Sequence, residues 1–190
     1  LSSLQNRAQE RFAETGWPAK KSEAWKYTSL EDIALASLQP ANDISGAVAT
    51  PKAIAVPHCR LVFHGAQFRD DLSDALPAGV RLVMLGDDER ALAAIDELCA
   101  SDNLVSRLTV AKMTAGISLQ VAQGALIDRP VMLQFIGGEP AASSHPVIHI
   151  DIGDDAHFAY AEHHETNNRL SAPFIVVRVG AGATLDHIKL

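Results

Sequence analysis

The feature that most constrains this chain is a change of hydrophobic period at Gly116. Before it, large apolar residues recur near every fourth position. After it they alternate, first at Ile117, Leu119 and Val121, then at Val131, Leu133 and Phe135. The same pattern returns at Ile148, Ile150 and Ile152, at Ala156, Phe158 and Tyr160, and at Ile175, Val177 and Val179. A period of two puts every second side chain on one face of a strand. Each large apolar side chain removed from water contributes about 1.5–3 kcal/mol, so such strands become stable by stacking on one another.

The alternating region also repeats itself. Ile152-Gly153-Asp154-Asp155-Ala156-His157-Phe158 matches Val179-Gly180-Ala181-Gly182-Ala183-Thr184-Leu185, with the first glycines 27 residues apart. Gly124 lies 29 residues before Gly153 within a looser match. Such a spacing predicts a stacked array in which each circuit supplies a strand, a glycine turn and a second strand. Glycine suits the corner because φ can be positive there. A β-sandwich with glycine turns is the competing architecture.

The first half has a different grammar. Leu4, Ala8 and Phe12 make one apolar stripe, predicting a helix over 4–14 that ends at Gly16-Trp17-Pro18. Ser29 followed by Asp32 predicts a short capped helix through Leu35, and residues 37–57, with three prolines, predict a linker or extended arm. Residues 61–68 read as strand, turn, strand, and residues 80–85 as a further strand. Asp87 is expected to cap a helix to about Ala100 with Leu92, Ile95 and Leu98 inward. Residues 103–114 predict another, with Leu104, Leu108 and Ala111 on one side.

Charge and composition exclude several functions. The net charge is −7, and residues 61–190 hold nine Lys/Arg against seventeen Asp/Glu. Such a body repels phosphate backbones, so nucleic acid is not an expected partner. No apolar run reaches about 18 residues, so no membrane span is expected, and no secretory leader pattern opens the chain. Two cysteines, Cys59 and Cys99, are too few for a disulfide framework or a four-thiolate site and read as buried small hydrophobes in a reducing cytosol. The chain starts at Leu1 and stops inside the alternating run that ends at Leu190. It therefore reads as part of something longer, with self-association expected at the uncovered last strand.

Motifs for chemistry are sparse. The sequence contains no Gly-x-Ser-x-Gly nucleophile elbow and no phosphate-binding loop. Gly180-Ala181-Gly182 reads as a corner. Five of the eight histidines fall between positions 145 and 164. Alternation places His163 with Glu165 on one face and Glu162 with His164 on the other. A cupin-like metal-dependent enzyme using His157, His163 or His164 is the enzymatic alternative, since imidazole and carboxylate ligate metals well. The paired His-x-His followed by Glu of cupins is missing. Trp17, Trp25 and Tyr27, beside Lys20, Lys21 and Lys26, form either a docking surface or rings that pin the helical arm to the body.

Taken in order, these segments resemble one family. Lys21-Ser22-Glu23-Ala24-Trp25-Lys26-Tyr27-Thr28-Ser29-Leu30 looks like the acidic-x-Trp-Lys/Arg-Tyr-Thr-x-Leu signature near the start of SufD proteins, of the SufB/SufD family. Leu61-Val62-Phe63 to Phe68, Leu72-Ser73 and Leu76-Pro77-Ala78-Gly79-Val80 resemble the segment that follows there. Gly116-Ile117-Ser118-Leu119-Gln120-Val121 with Arg129-Pro130-Val131, and the run from Val179 to His187, resemble its coils. Around Leu104–Met113 the family's usual Asn-Ala pairing is absent.

The resemblance implies a mainly β fold. A right-handed parallel β-helix would stand behind an N-terminal helical region and linker (1–57) and a mixed α/β segment (58–115), its first coils occupying 116–190. It implies a non-catalytic, cytoplasmic scaffold subunit of iron–sulfur cluster assembly, with SufB-like and SufC-like (ATPase) partners. A transient iron–sulfur cluster would be handled by the whole complex. No catalytic, cofactor-binding or metal-ligating position is carried over to these residues. A generic β-solenoid interaction module is the remaining alternative.

Overall fold

A computed structural model of the chain describes residues 1–18, 22–27, 39–40, 55–65, 67–101, 103–113, 116–137, 142–167 and 169–190. The fold is mixed α/β, mostly sheet, with strands that pair largely in parallel.

α1 (Ser2–Thr15) buries Leu4 and Ala8 and stops at Gly16, whose φ of 62° turns the chain out of the helix. Trp17 stands edge-on to Phe12 at 5.5 Å. α2 (Glu89–Ala100) is capped by Asp88, which accepts from the Ala91 amide at 3.0 Å, and not by Asp87. Asp87 instead lies in the 3-10 turn before it, which moves the helix start by one residue. The buried stripe is accordingly Ala91, Ile95 and Cys99, and Leu98 is 43% exposed rather than inward. α3 (Leu104–Lys112) is capped by Asn103, which accepts from the Val105 and Ser106 amides. Its buried run, Ser106 to Val110, spreads round the helix instead of following the expected Leu104–Leu108–Ala111 side. The expected helix at 29–35 lies outside the described residues.

Among the described residues, three sheets carry the rest. The four-stranded sheet runs β11 (Phe174–Val179), β8 (Val147–Ile152), β5 (Gly116–Val121), β4 (Val80–Met84). The five-stranded sheet runs β12 (Thr184–Lys189), β9 (His157–Thr166), β6 (Val131–Gly137), β2 (Cys59–His64), β3 (Gln67–Arg69). The three-stranded sheet runs β1 (Gln39–Pro40), β7 (Ala142–Ser144), β10 (Leu170–Ser171). β1 falls inside the segment expected to be a linker, so at least these two residues pair with the body. β3 and β4 are antiparallel to β2 and β5, while the other pairs are parallel.

From β5 onward the chain visits the three sheets in rotation. β8 passes through a short turn to β9, then β10, then back to β11 beside β8. Ile152 pairs with Val179 and Phe158 with Leu185, so the 27-residue repeat is the registry itself. The preceding circuit is longer. Ile117 pairs with Ile148, while Val131 pairs with Tyr160, because residues 122–130 form a longer loop than the later turns. Hence Val121 pairs with Ile152, and Gly124 corresponds to Asp155 and Gly182 rather than to Gly153. These three take φ values of 65°, 58° and 68°. Gly153 and Gly180 serve another need, since φ is not positive there. A Cβ on Gly153 would lie 2.6 Å from the Gln123 amide nitrogen of the neighbouring circuit.

Two cores result. The inward faces of the two large sheets meet through Phe63, Leu119, Leu133, Phe135, Ile150 and Phe158, all essentially inaccessible. The outer face of the four-stranded sheet, through Val147 and Val176, packs on Leu4, Ala8, Leu85, Ala91, Ile95 and Val110 of the helical layer. Asp96 joins α1 to α2 through Arg7 and Arg11, at 2.9 and 2.7 Å. Val179, expected to face inward, is 47% exposed at the end of β11.

Candidate functional site

Alternation along β9 sends Phe158, Tyr160, Glu162 and His164 to the same inward face. The first two belong to the apolar core; the last two are polar, so the space between the sheets changes character along the strand. Registry with β12 places His187 beside Tyr160 and Lys189 beside Glu162. Glu162 is 5% exposed. Its carboxylate lies 2.9 Å from His164 Nε2, 2.8 Å from His187 Nε2 and 3.3 Å from Lys189 Nζ. The His164 ring stacks on Phe135 at 4.7 Å and the His187 ring on Tyr160 at 4.3 Å. Each imidazole thus presents an apolar face to the core and a nitrogen to the carboxylate.

Burial alone would raise the Glu162 pKa. The hydrogen bond from His164, the Lys189 charge and the bond from His187 outweigh it and bring the value down to about 2. Burial, with the Glu162 charge adding to it, pushes the Tyr160 phenol up to about 12. An ionised carboxylate with all its partners in place ties β12 to β9.

A second polar network lies on the other side of the four-stranded sheet. Asp88 Oδ2 accepts from Ser118 Oγ at 2.7 Å and from Gln120 Nε2 at 2.9 Å, and Ser118 Oγ lies 3.1 Å from His149 Nδ1. Against the burial that would raise it, the Ala91, Ser118 and Gln120 bonds hold the Asp88 pKa at about 2. The trio contains the residue types of a nucleophilic triad in a different order. Here the serine sits between acid and imidazole, donates to the acid, and is fully buried. In a nucleophilic arrangement the imidazole stands between the other two and accepts the hydroxyl proton. Asp88, Ser118 and His149 therefore lock the start of α2 to β5 and β8.

The late histidines singled out in the sequence are dispersed. His163 faces away from His164, its Nε2 3.6 Å from Glu165, and His157 pairs with Asp186 at 3.0 Å on the outer surface. The expected partition of Glu162 with His164 and of His163 with Glu165 holds. Among the described residues no three His, Cys, Asp or Glu side chains are grouped to hold a metal ion. Cys59 and Cys99 are buried thiols with pKa values raised by burial, Cys99 to about 11. Tyr27 is 89% exposed. Trp25 lines a cleft of about 490 Å³ with Gly16, Pro18, Leu104, Val105 and Arg107. Among the described residues no helix is long and apolar enough to cross a membrane.

The sequence did not single out His187, Lys189 or Asp88. The signal for the first two was present, because a 27-residue step carries Tyr160 to His187 and Glu162 to Lys189.

These features define a class: stacked parallel strands that circulate through three sheets, with a helical layer on one face and ion pairs joining successive circuits. No family model matches the chain. A known protein does: the chain is 29% identical over 189 residues to the iron–sulfur cluster assembly protein SufD of Escherichia coli (strain K12). The match covers 95% of this chain and 44% of that protein, so the chain spans less than half the length of its relative. The chain is thus distantly similar to SufD.

Proposed function

We propose that this protein is a SufD-like scaffold subunit of iron–sulfur cluster assembly. It works in the cytoplasm, without catalysis of its own, beside SufB-like and SufC-like (ATPase) partners in a complex that handles a transient cluster. The observation that carries this reading is the match to SufD along 95% of the chain, in one order from α1 to β12. The rotation of the chain through three sheets supports reading residues 116–190 as the first coils of a right-handed parallel β-helix. Residues 1–57 then form the helical region and linker, and residues 58–115 the mixed segment leading into the coils. The polar groups described above support the same role, since Glu162 and Asp88 spend their bonds on joining elements.

The test is to tag the protein at its own gene and purify it from its own cells. Co-purification with a SufB-type protein and a SufC-type ATPase, and lowered activity of iron–sulfur enzymes when the gene is deleted, are expected. Purification without either partner, with those activities unchanged on deletion, overturns the proposal.

A further inference from the structure

His145 lies between β7 and β8, at a corner of the strand stack, and is completely inaccessible. Neither ring nitrogen has a hydrogen-bond partner among the described residues. Registry puts it one circuit below Ala172, since Ser144 pairs with Ser171 and Val147 with Phe174. α3 crosses this corner, where Thr109 Oγ1 donates to the Ala172 carbonyl at 3.0 Å. Lys112, on the last turn of α3, is a charged group that acts on the imidazole. α1 in turn rides on α3, with Gln5 Nε2 donating to the Met113 carbonyl at 2.5 Å and Leu4 and Ala8 packed with Val110.

A buried imidazole with no partner is tolerable only while neutral, because a charge there is neither solvated nor paired. A neighbouring ammonium makes charging costlier. The strain has an outlet. Lifting α3 would open the corner to water, whereas the strand ladders above and below His145 are held by their own registry.

We propose that the seat of α3 on the corner carrying His145 is an acid-sensitive joint, at which proton uptake by this imidazole releases α3 and α1 from the strand stack while the stack stays folded. The surface uncovered includes the apolar outer face at Val147 and Val176. The inference is independent of the proposed role in cluster assembly.

Burial first, then Lys112, lowers the His145 pKa from its ordinary 6.5 to about 4. The docked state therefore binds fewer protons than the released one between these values. Docking weakens as pH falls from 6.5, by about tenfold per pH unit. Hydrogen exchange read by mass spectrometry on the whole chain from pH 6.5 to pH 5, corrected for intrinsic exchange, tests this. That window lies above the titration of Glu162 and Asp88; burial also lowers the pKa of His64 on β2 and of His149 on β8, and the strand amides register any loss those two cause.

Amides of α1 and α3 are expected to lose protection by about tenfold per pH unit while those of β6, β8 and β9 keep theirs. Equal loss in helices and strands overturns the proposal. His145→Leu should make helix protection independent of pH in this window, and an unchanged dependence counts against the idea. Should that variant not fold, NMR of the wild-type His145 ring decides. Ring titration coinciding with the loss of α3 protection supports the joint, and titration without it refutes the joint.

Discussion

His187 lies on Tyr160 with ring centroids 4.3 Å apart and planes 16° from parallel, and the two are register partners on β12 and β9. The stacking is a product of the repeat. A chain that advances 27 residues per circuit sets residue upon like position, so aromatic falls on imidazole and Lys189 falls beside Glu162.

Glu162→Gln removes the charge that His164, His187 and Lys189 share. Two of these partners are partly exposed, which moderates the loss. Unfolding in urea is expected to show a destabilisation of about 1–3 kcal/mol. An unchanged midpoint would mean that the carboxylate does not bind β12 to β9.

Acid should weaken the fold along a second limb, below the His145 window. Glu162 and Asp88 both have folded pKa values near 2, against ordinary values of 4.5 and 3.8. Their contribution is complete above the ordinary values and is lost as pH falls toward 2. For Asp88 it amounts to about 2 kcal/mol. Urea midpoints at pH 5 and pH 3 measure it, and Asp88→Asn, which retains a capping oxygen, should flatten this part of the profile.

Two glycines, Gly153 at a corner and Gly86 in the 3-10 turn before α2, make a sharper test. Gly153→Ala forces a methyl group to within 2.6 Å of the Gln123 nitrogen and 2.8 Å of its Cα, both backbone atoms. A loss above about 2 kcal/mol is expected, of the size seen when packed interiors are overfilled. Gly86→Ala meets nothing within 4 Å and has no positive φ. It should be neutral or gain up to about 1 kcal/mol. Thermal unfolding of the pair separates close approach from general glycine loss.

On α2, Ile95 is fully buried and Leu98 is 43% exposed. Ile95→Ala should cost about 2–5 kcal/mol, whereas Leu98→Ala should stay within about 1 kcal/mol. Comparable losses at both positions would mean that the helix starts at Asp87 after all.

Much of this was legible because alternation and repetition are the same signal seen at two distances. Ile148, Ile150 and Phe158 could be placed inward from period two alone, and the step from Gly153 to Gly180 gave the registry between circuits. The misplacement of Gly124 has a simple cause. Glycine serves the corner for two reasons, positive φ and close approach, and Asp155 takes the positive-φ position that elsewhere is glycine. The cap of α2 was off by one because Asp87 and Asp88 are chemically alike. Only the sheet side chains Ser118 and Gln120, 30 and 32 residues away, reveal which one is held. Pairing of that range has no local trace. The Glu162 cluster was half visible: its β9 members share a face, but its β12 members required the repeat to be used as a ruler.

The two reversed strands at one flank have a consequence for assembly. β3 has only three residues, and both β3 and β4 run against their neighbours. An extended segment approaching from that side meets peptide groups of opposite sense, over only three residues at β3 and five at β4. A strand added there in parallel would carry the reversed sense of β3 or β4 onward, and one added antiparallel would restore the sense of β2 and β5.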